Sequence, residues 1–141
     1  MSEQLKIIET LESYAQAYCN KDISALMDVF DKSESISVIG TGADELCTGT
    51  ESVRGLFLRN FSEATATKFE WKWRNVIVSD DHAVVAQTLV IHLMADNELL
   101  QVPLRWTVTL KKAERWLWMH RHASTAAGSQ EEGSAYPTVT N

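Results

Sequence analysis

His120 and His122 stand two residues apart near the end of the chain. Alternate positions of a strand share a face, so the two imidazoles can serve one ligand or chelate one metal ion, with His92 on a neighbouring strand as a third donor. Trp116 and Trp118 continue the same face, however. The histidines therefore read as hydrogen-bonded groups at the edge of a core or a subunit interface, and no bound metal is expected. Arg105 falls among Gln101, Thr107 and Thr109 on the polar side of its strand. A guanidinium there offers a fixed fork of donors to an anionic or carbonyl-bearing ligand, or else pairs with Glu70 or Asp44. Asp44 and Glu45 follow Gly42 in a loop, where either can act as a base or bond to backbone amides of its own loop. The Gly40-Thr41-Gly42 segment lacks the Gly-Lys-Ser/Thr ending of a phosphate loop.

These side chains must be held by a scaffold whose elements change character halfway along the chain. Leu5, Ile8, Leu11, Ala15 and Tyr18 recur every three or four positions, with Ile7 and Tyr14 widening the stripe, and predict a helix with one buried face. Asn20 is placed to close it in a left-handed conformation, and Asp22 to cap a second helix carrying Ile23, Leu26, Met27 and Phe30. A short strand over 35–39 leads to a turn or bulge at the two glycines, whose freedom at angles that a Cβ resists is the expected reason for them. Thr50 can cap a third helix with Val53, Phe57, Phe61 and Ala64 on one face.

From about residue 68 the period becomes two and β-branched and aromatic residues dominate. Phe69, Trp71 and Trp73 alternate with Lys68, Glu70, Lys72 and Arg74 in a first long strand. Asp80-Asp81 marks a turn, and residues 83–94 follow with apolar residues on both faces. After a turn at 95–98, Val102, Leu104, Trp106, Val108 and Leu110 share one face. The last hairpin turns at 112–114, and its closing strand puts Trp116, Trp118, His120 and His122 on one side, Leu117, Met119, Arg121 and Ala123 on the other. Residues 1–124 thus form one α+β domain, a curved antiparallel sheet wrapped around three N-terminal helices as a cone with an internal pocket. The segment 125–141, rich in Ala, Gly and Ser, is expected to be an extended tail, loose or lying across a neighbour.

With 141 residues, 45% hydrophobic and 23% charged, the chain has the composition of an ordinary globular domain. A net charge of -6 argues against nucleic acid as a partner. Cys19 and Cys47 show no metal or disulfide spacing, no apolar run is long enough for a membrane span, and no leader pattern opens the sequence, so a cytoplasmic location is expected by default.

The order of elements, helix pair, short strand, glycine loop, third helix and long antiparallel strands, resembles the nuclear-transport-factor-two-like (cystatin-like) fold. The runs Ile39-Gly40-Thr41-Gly42-Ala43-Asp44-Glu45, Pro103-Leu104-Arg105-Trp106-Thr107 and His120-Arg121-His122-Ala123-Ser124 resemble its SnoaL-like members over about residues 3–137. The ending also resembles the association domain of calcium/calmodulin-dependent kinases, with Ala123 where that domain has an arginine and Arg105 similar to a second pocket arginine. Ketosteroid isomerases share the fold, and Tyr14 resembles the tyrosine that holds their oxyanion. The strand that carries their base corresponds to 37–40, which has no acid.

The resemblance implies a pocket for a small apolar or aromatic molecule, with Asp44, Tyr14 and His120 as candidate catalytic groups and no cofactor. Tyr18, Glu45, Trp71, Trp73, His92, Arg105, Trp106 and His122 are the candidate ligand contacts. Two readings stand side by side: a cofactor-independent isomerase, cyclase or dehydratase acting on a carbonyl compound, or a non-catalytic dimerising or ligand-sensing module. The apolar surface left by three helices predicts a homodimer through sheet faces.

Overall fold

In the computed structural model, which describes residues 1–138, three helices lie on one face of a six-stranded sheet. The helices are α1 (Glu3–Cys19), α2 (Ile23–Met27) and α3 (Thr50–Glu63). The strands are β1 (Ser37–Ile39), β2 (Leu46–Thr48), β3 (Thr65–Ser79), β4 (His82–Ala95), β5 (Glu98–Lys112) and β6 (Trp116–Ser124), in the spatial order β2-β1-β6-β5-β4-β3. Among the strands of the described residues, β1 and β6 pair in parallel and the other pairs are antiparallel; the sheet curves without closing. This is the α+β cone expected from the change of period.

Local chemistry explains most boundaries. Ser2 caps α1 by accepting from the Leu5 amide, and Asp22 caps α2 by accepting from the Ala25 amide, each satisfying a donor that a helix start leaves over. Two expectations are corrected here. Asn20 is right-handed, and Lys21 takes the left-handed position at φ 54. Gly49, at φ 90, is the residue before α3, while the Thr50 hydroxyl donates 2.7 Å to Glu34 Oε1 instead of capping the helix. The segment around Cys47 is a strand, β2, which closes a small hairpin onto β1. The β4-β5 connection is a two-residue turn with Asp96 and Asn97 both left-handed, the backbone hand that matches strand twist.

Two bulges decide which side chains enter the cone. Between Trp71 and Arg74 the β3-β4 register slips, so Trp73 turns out, 60% exposed, and Arg74 comes in opposite Gln87. Between Thr109 and Leu110 the β5-β6 register slips in the same way: Thr109 pairs with His120 but Leu110 with Trp118, leaving Met119 over. The unbroken alternation expected for the last strand is thus corrected. Trp116 and Trp118 face the helices, and after Met119 so do Arg121 and Ala123, which puts His120 and His122 on the outer face.

The core runs from Ile7, Leu11 and Tyr14 of α1 through Leu26 and Phe30 to Val85, Leu89, Val108 and Trp118 on the concave face of the sheet. The outer side of β4 is only half-buried, so its two apolar faces are unequal in the single chain. Residues 125–138 carry no helix or strand, and the Thr138 amide reaches back to the Ser129 carbonyl at 2.9 Å. The last three residues of the proposed tail lie outside the described residues.

Glu3 fastens the start of α1 to the β5-β6 hairpin, its carboxylate accepting from Trp116 Nε1 at 2.7 Å and Lys112 Nζ at 3.0 Å. These bonds hold its carboxyl down from an ordinary 4.5 to about 2. Glu70, bonded to Lys72 and His92, is also lowered to about 2. A depressed folded-state value stabilises above the ordinary carboxylate range and is lost as pH falls towards 2. Glu3→Gln is therefore expected to lower stability at neutral pH and to flatten, without abolishing, its decline in acid. Urea melts across that pH range check this, and parallel curves for both proteins would contradict it.

Candidate functional site

The cone opens into a cavity of about 250 Å³ between α1, α3, the Gly40–Glu45 loop and the ends of β4 to β6. Ile91, Leu93, Val102 and Leu104 make its apolar wall, and Tyr14, Tyr18, Glu45, Asn60 and Arg121 bring its polar atoms.

Arg121 is the group on which this cavity turns. It is 6% exposed, yet among the described residues no carboxylate comes within ion-pair distance of it. Its Nη1 donates to the Tyr14 hydroxyl oxygen at 3.2 Å and its Nη2 to the Ile39 carbonyl at 3.4 Å, while Nε has no partner. The guanidinium lies over the rings of Phe57, at 5.7 Å, and Trp106, at 5.5 Å, whose π-faces offset part of the cost of burying the charge. Neutral partners and aromatic faces compensate a buried cation incompletely, so it is poised to take an anionic oxygen.

Tyr14 is fully buried, stacked on Trp118 at 4.7 Å and edge-on to Trp106 at 5.2 Å. Burial pushes its phenol well above the ordinary value, against the opposing pull of Arg121. It stays protonated, and since its oxygen already accepts from Arg121, its own proton is free to point at a ligand. Burial likewise raises the Tyr18 phenol, an effect partly opposed by a hydrogen bond with Asn60.

The loop acids have separate fates. The Asp44 side chain is 72% exposed and pairs with Arg59 Nη1 at 2.9 Å, which holds its carboxyl below the ordinary range. The Glu45 side chain is 14% exposed and turns into the cavity wall, accepting from the Gly42 amide at 2.7 Å and Arg59 Nη2 at 3.1 Å. This explains the glycines in a way that corrects the expected one. Neither Gly40 nor Gly42 is left-handed, but a Cβ on Gly40 would stand 2.8 Å from Glu45 Cδ and one on Gly42 2.8 Å from its Oε1. They are small because Glu45 lies against them.

Of the side chains singled out in the sequence, the structure brings Tyr14, Tyr18 and Glu45 together at the cavity, with Trp106 beneath Arg121 and Trp71 packed edge-on to Trp106 at 5.9 Å. The others lie apart. Asp44 and Trp73 face solvent. His92, bonded to Glu70 at 3.0 Å, and Arg105, which reaches the Thr125 carbonyl at 3.4 Å, sit on the outer face. So do His120, whose Nδ1 is 2.7 Å from Ser37 Oγ, and His122, 6.3 Å from it between ring centroids. Burial lowers the His120 value. Among the described residues no group of three or more His, Cys, Asp or Glu side chains is placed to hold a metal ion, and no helix is long and apolar enough to cross a membrane.

Arg121 was hidden in the sequence by the assumption of unbroken alternation. A signal existed: Trp116, Leu117, Trp118 and Met119 are apolar on both parities, and small, apolar Ala123 sits on the parity opposite the tryptophans, as a bulge between them requires. A larger groove of about 340 Å³ lies at the opposite end of α1, lined by Lys6, Glu9, Lys112, Glu114 and Arg115 among others. Its mixed charges lie at the surface and among the described residues it contains no unpaired buried polar atom.

Residues 7–128 match the SnoaL-like domain family. Among solved structures, a ketosteroid isomerase-like protein from Erwinia carotovora atroseptica superposes with a TM-score of 0.75 at 18% identity, covering 89% of this chain and 98% of that one. A calcium/calmodulin dependent protein kinase II association domain candidate from Xanthomonas campestris gives 0.76 at 19% identity, covering 86% of each. A candidate aromatic ring hydroxylase from Novosphingobium aromaticivorans gives 0.77 at 18%, covering 89% and 90%. At these identities the likeness is one of fold. No curated protein matches the sequence.

Proposed function

Because the chain belongs to the SnoaL-like domain family, we propose that it binds a small apolar or aromatic compound bearing a carboxylate or carbonyl oxygen, held by Arg121 and Tyr14. The observation that carries this reading is the buried Arg121 guanidinium, which lines the cavity without a carboxylate partner among the described residues. A ligand oxygen in the cavity would complete a charge-assisted bond with that guanidinium, while its apolar body meets Ile91, Leu93 and Val102. The volume suits a single ring.

Turnover is a further step of the same geometry. Glu45 lines the same cavity as the donors, so it can take a proton from the carbon beside a carbonyl, with Arg121 and the Tyr14 hydroxyl stabilising the oxygen as it gains negative charge. That is the chemistry of a cofactor-independent isomerase or dehydratase, and similar folds include a candidate dehydratase from Streptomyces avermitilis. A specific observation favours the second reading, a binding or sensing module without turnover: both Glu45 oxygens already accept hydrogen bonds, from Gly42 and Arg59.

Thermal shift with benzoate-sized carboxylates and their methyl esters tests the binding. Carboxylates are expected to raise the melting temperature more than esters. Arg121→Met should abolish the response while leaving the unliganded protein more stable by about 1 to 2 kcal/mol, since an incompletely paired buried charge is replaced by an apolar side chain. An unchanged response in that variant would refute the assignment. Deuterium uptake by a bound ketone beside its carbonyl in heavy water, lost in Glu45→Gln, would mark turnover; no uptake leaves the sensing reading.

A second copy is the proposed cover for the outer face, where Trp73 and Ile77 are exposed and the outward side chains of β4 are half-buried. Light scattering at micromolar concentration should give twice the mass of 15.9 kDa, and a monomer would refute it.

A further inference from the structure

β4 and β5 carry a ladder of apolar pairs on the concave face: Leu89 opposite Leu104, Ile91 opposite Val102 and Leu93 opposite Leu100. Directly opposed residues of an antiparallel pair point to one face, and alternate residues of a strand share it, so Leu100 belongs to the side of Leu93 and Val102. The ladder runs from the core through the cavity to the surface. Leu89 is 1% exposed, Leu104 and Ile91 are each 8% and Leu100 is 43%. Ile91, Leu93, Val102 and Leu104 line the cavity, and Leu100 is the next inward position beyond them. One inward step along a strand is two residues, or about 7 Å. A single exposed leucine is common on protein surfaces, but this one prolongs a cavity wall that is already apolar.

We propose that Leu100 extends the cavity into a second subsite, which takes the apolar tail of an elongated ligand. The ligand class is a carboxylate or carbonyl compound whose ring carries an alkyl chain reaching about 7 Å past Val102. This rests on the proposed binding of the ligand oxygen by Arg121 and Tyr14. The register gives the direction: Arg121 is paired with Val108, and its guanidinium lies over Trp106, the next inward residue of β5. Leu104, Val102 and Leu100 follow in that order along the strand. A ligand whose oxygen is held by Arg121 thus leaves its far end towards Val102, which is partly buried, and Leu100, which is open. The other exposed apolar residues of this hairpin tip, Met94 and Leu99, are paired with each other and have the opposite parity, so they belong to the outer face.

Calorimetric titration of the intact chain with para-alkylbenzoates, from methyl to octyl, tests this. Affinity is expected to rise about twofold per methylene, half the transfer free energy of full burial because one side of the strip faces solvent, and to level off at about six carbons. The hexyl compound should therefore bind about thirtyfold more tightly than the methyl compound. Leu100→Ser should cut that ratio to about fivefold or less while leaving the methyl compound unchanged, and Leu99→Ser, on the other face, should keep it whole. The wild-type profile alone decides if the first variant does not fold. No binding by any member of the series would overturn the Arg121 site and the subsite together. Binding of every member with a flat profile, or the full ratio retained in Leu100→Ser, would overturn the subsite and leave the site standing. A fall from dimer to monomer in Leu100→Ser by light scattering would also overturn it, by giving that side chain to a subunit contact.

Discussion

A guanidinium cation buried without a carboxylate partner among the described residues is the constraint around which this domain is arranged. Placing Arg121 inside the cone costs desolvation free energy that its bonds to the Tyr14 hydroxyl and the Ile39 carbonyl return only in part. The rings of Phe57 and Trp106 contribute more, through their negative π-faces. The residue is brought there by one extra position in β6. Without the slip at Met119, Arg121 would sit on the outer face and His120 and His122 inside. A single bulge therefore decides whether the cone is lined by imidazoles or by a cation.

The remaining polar parts follow from that placement. Tyr14 reaches Arg121 because α1 is packed tightly enough onto β6 for the phenol to stack on Trp118. The Gly40–Glu45 loop lines the same cavity, and its glycines leave the space that the Glu45 carboxylate occupies. Arg59 of α3 grips Asp44 with one nitrogen and Glu45 with the other, so the loop is fastened over the cavity by charge rather than by apolar contact. The result is a small hollow lined by a positive charge, a neutral phenol and a carboxylate. Such a pairing orients a polarised ligand before any chemistry is asked of it.

The sequence made the architecture legible because periodicity reports it directly. The stripe through Leu11 and Tyr14, the alternation of Val102 to Leu110 and the paired turn residues Asp96 and Asn97 depend on neighbours only a few positions away. Tyr14, Tyr18 and Glu45 could be named for the same reason, together with a family likeness carried by short motifs. What escaped was register. Trp73 and Arg74 exchange faces, and His120 and Arg121 exchange roles, because of slips that become visible only when a strand is laid against its partner. Gly49 in place of Thr50 at the start of α3, and Lys21 in place of Asn20 after α1, are smaller cases in which tertiary contacts overrode local preference.

The most direct test is a crystal structure of the protein with a benzoate-sized carboxylate bound. Its carboxylate should lie between the Arg121 guanidinium and the Tyr14 hydroxyl, and its ring against Ile91 and Val102. A ligand held on the outer face by Arg105 or His120, or an Arg121 side chain pointing away from the cone, would contradict the account.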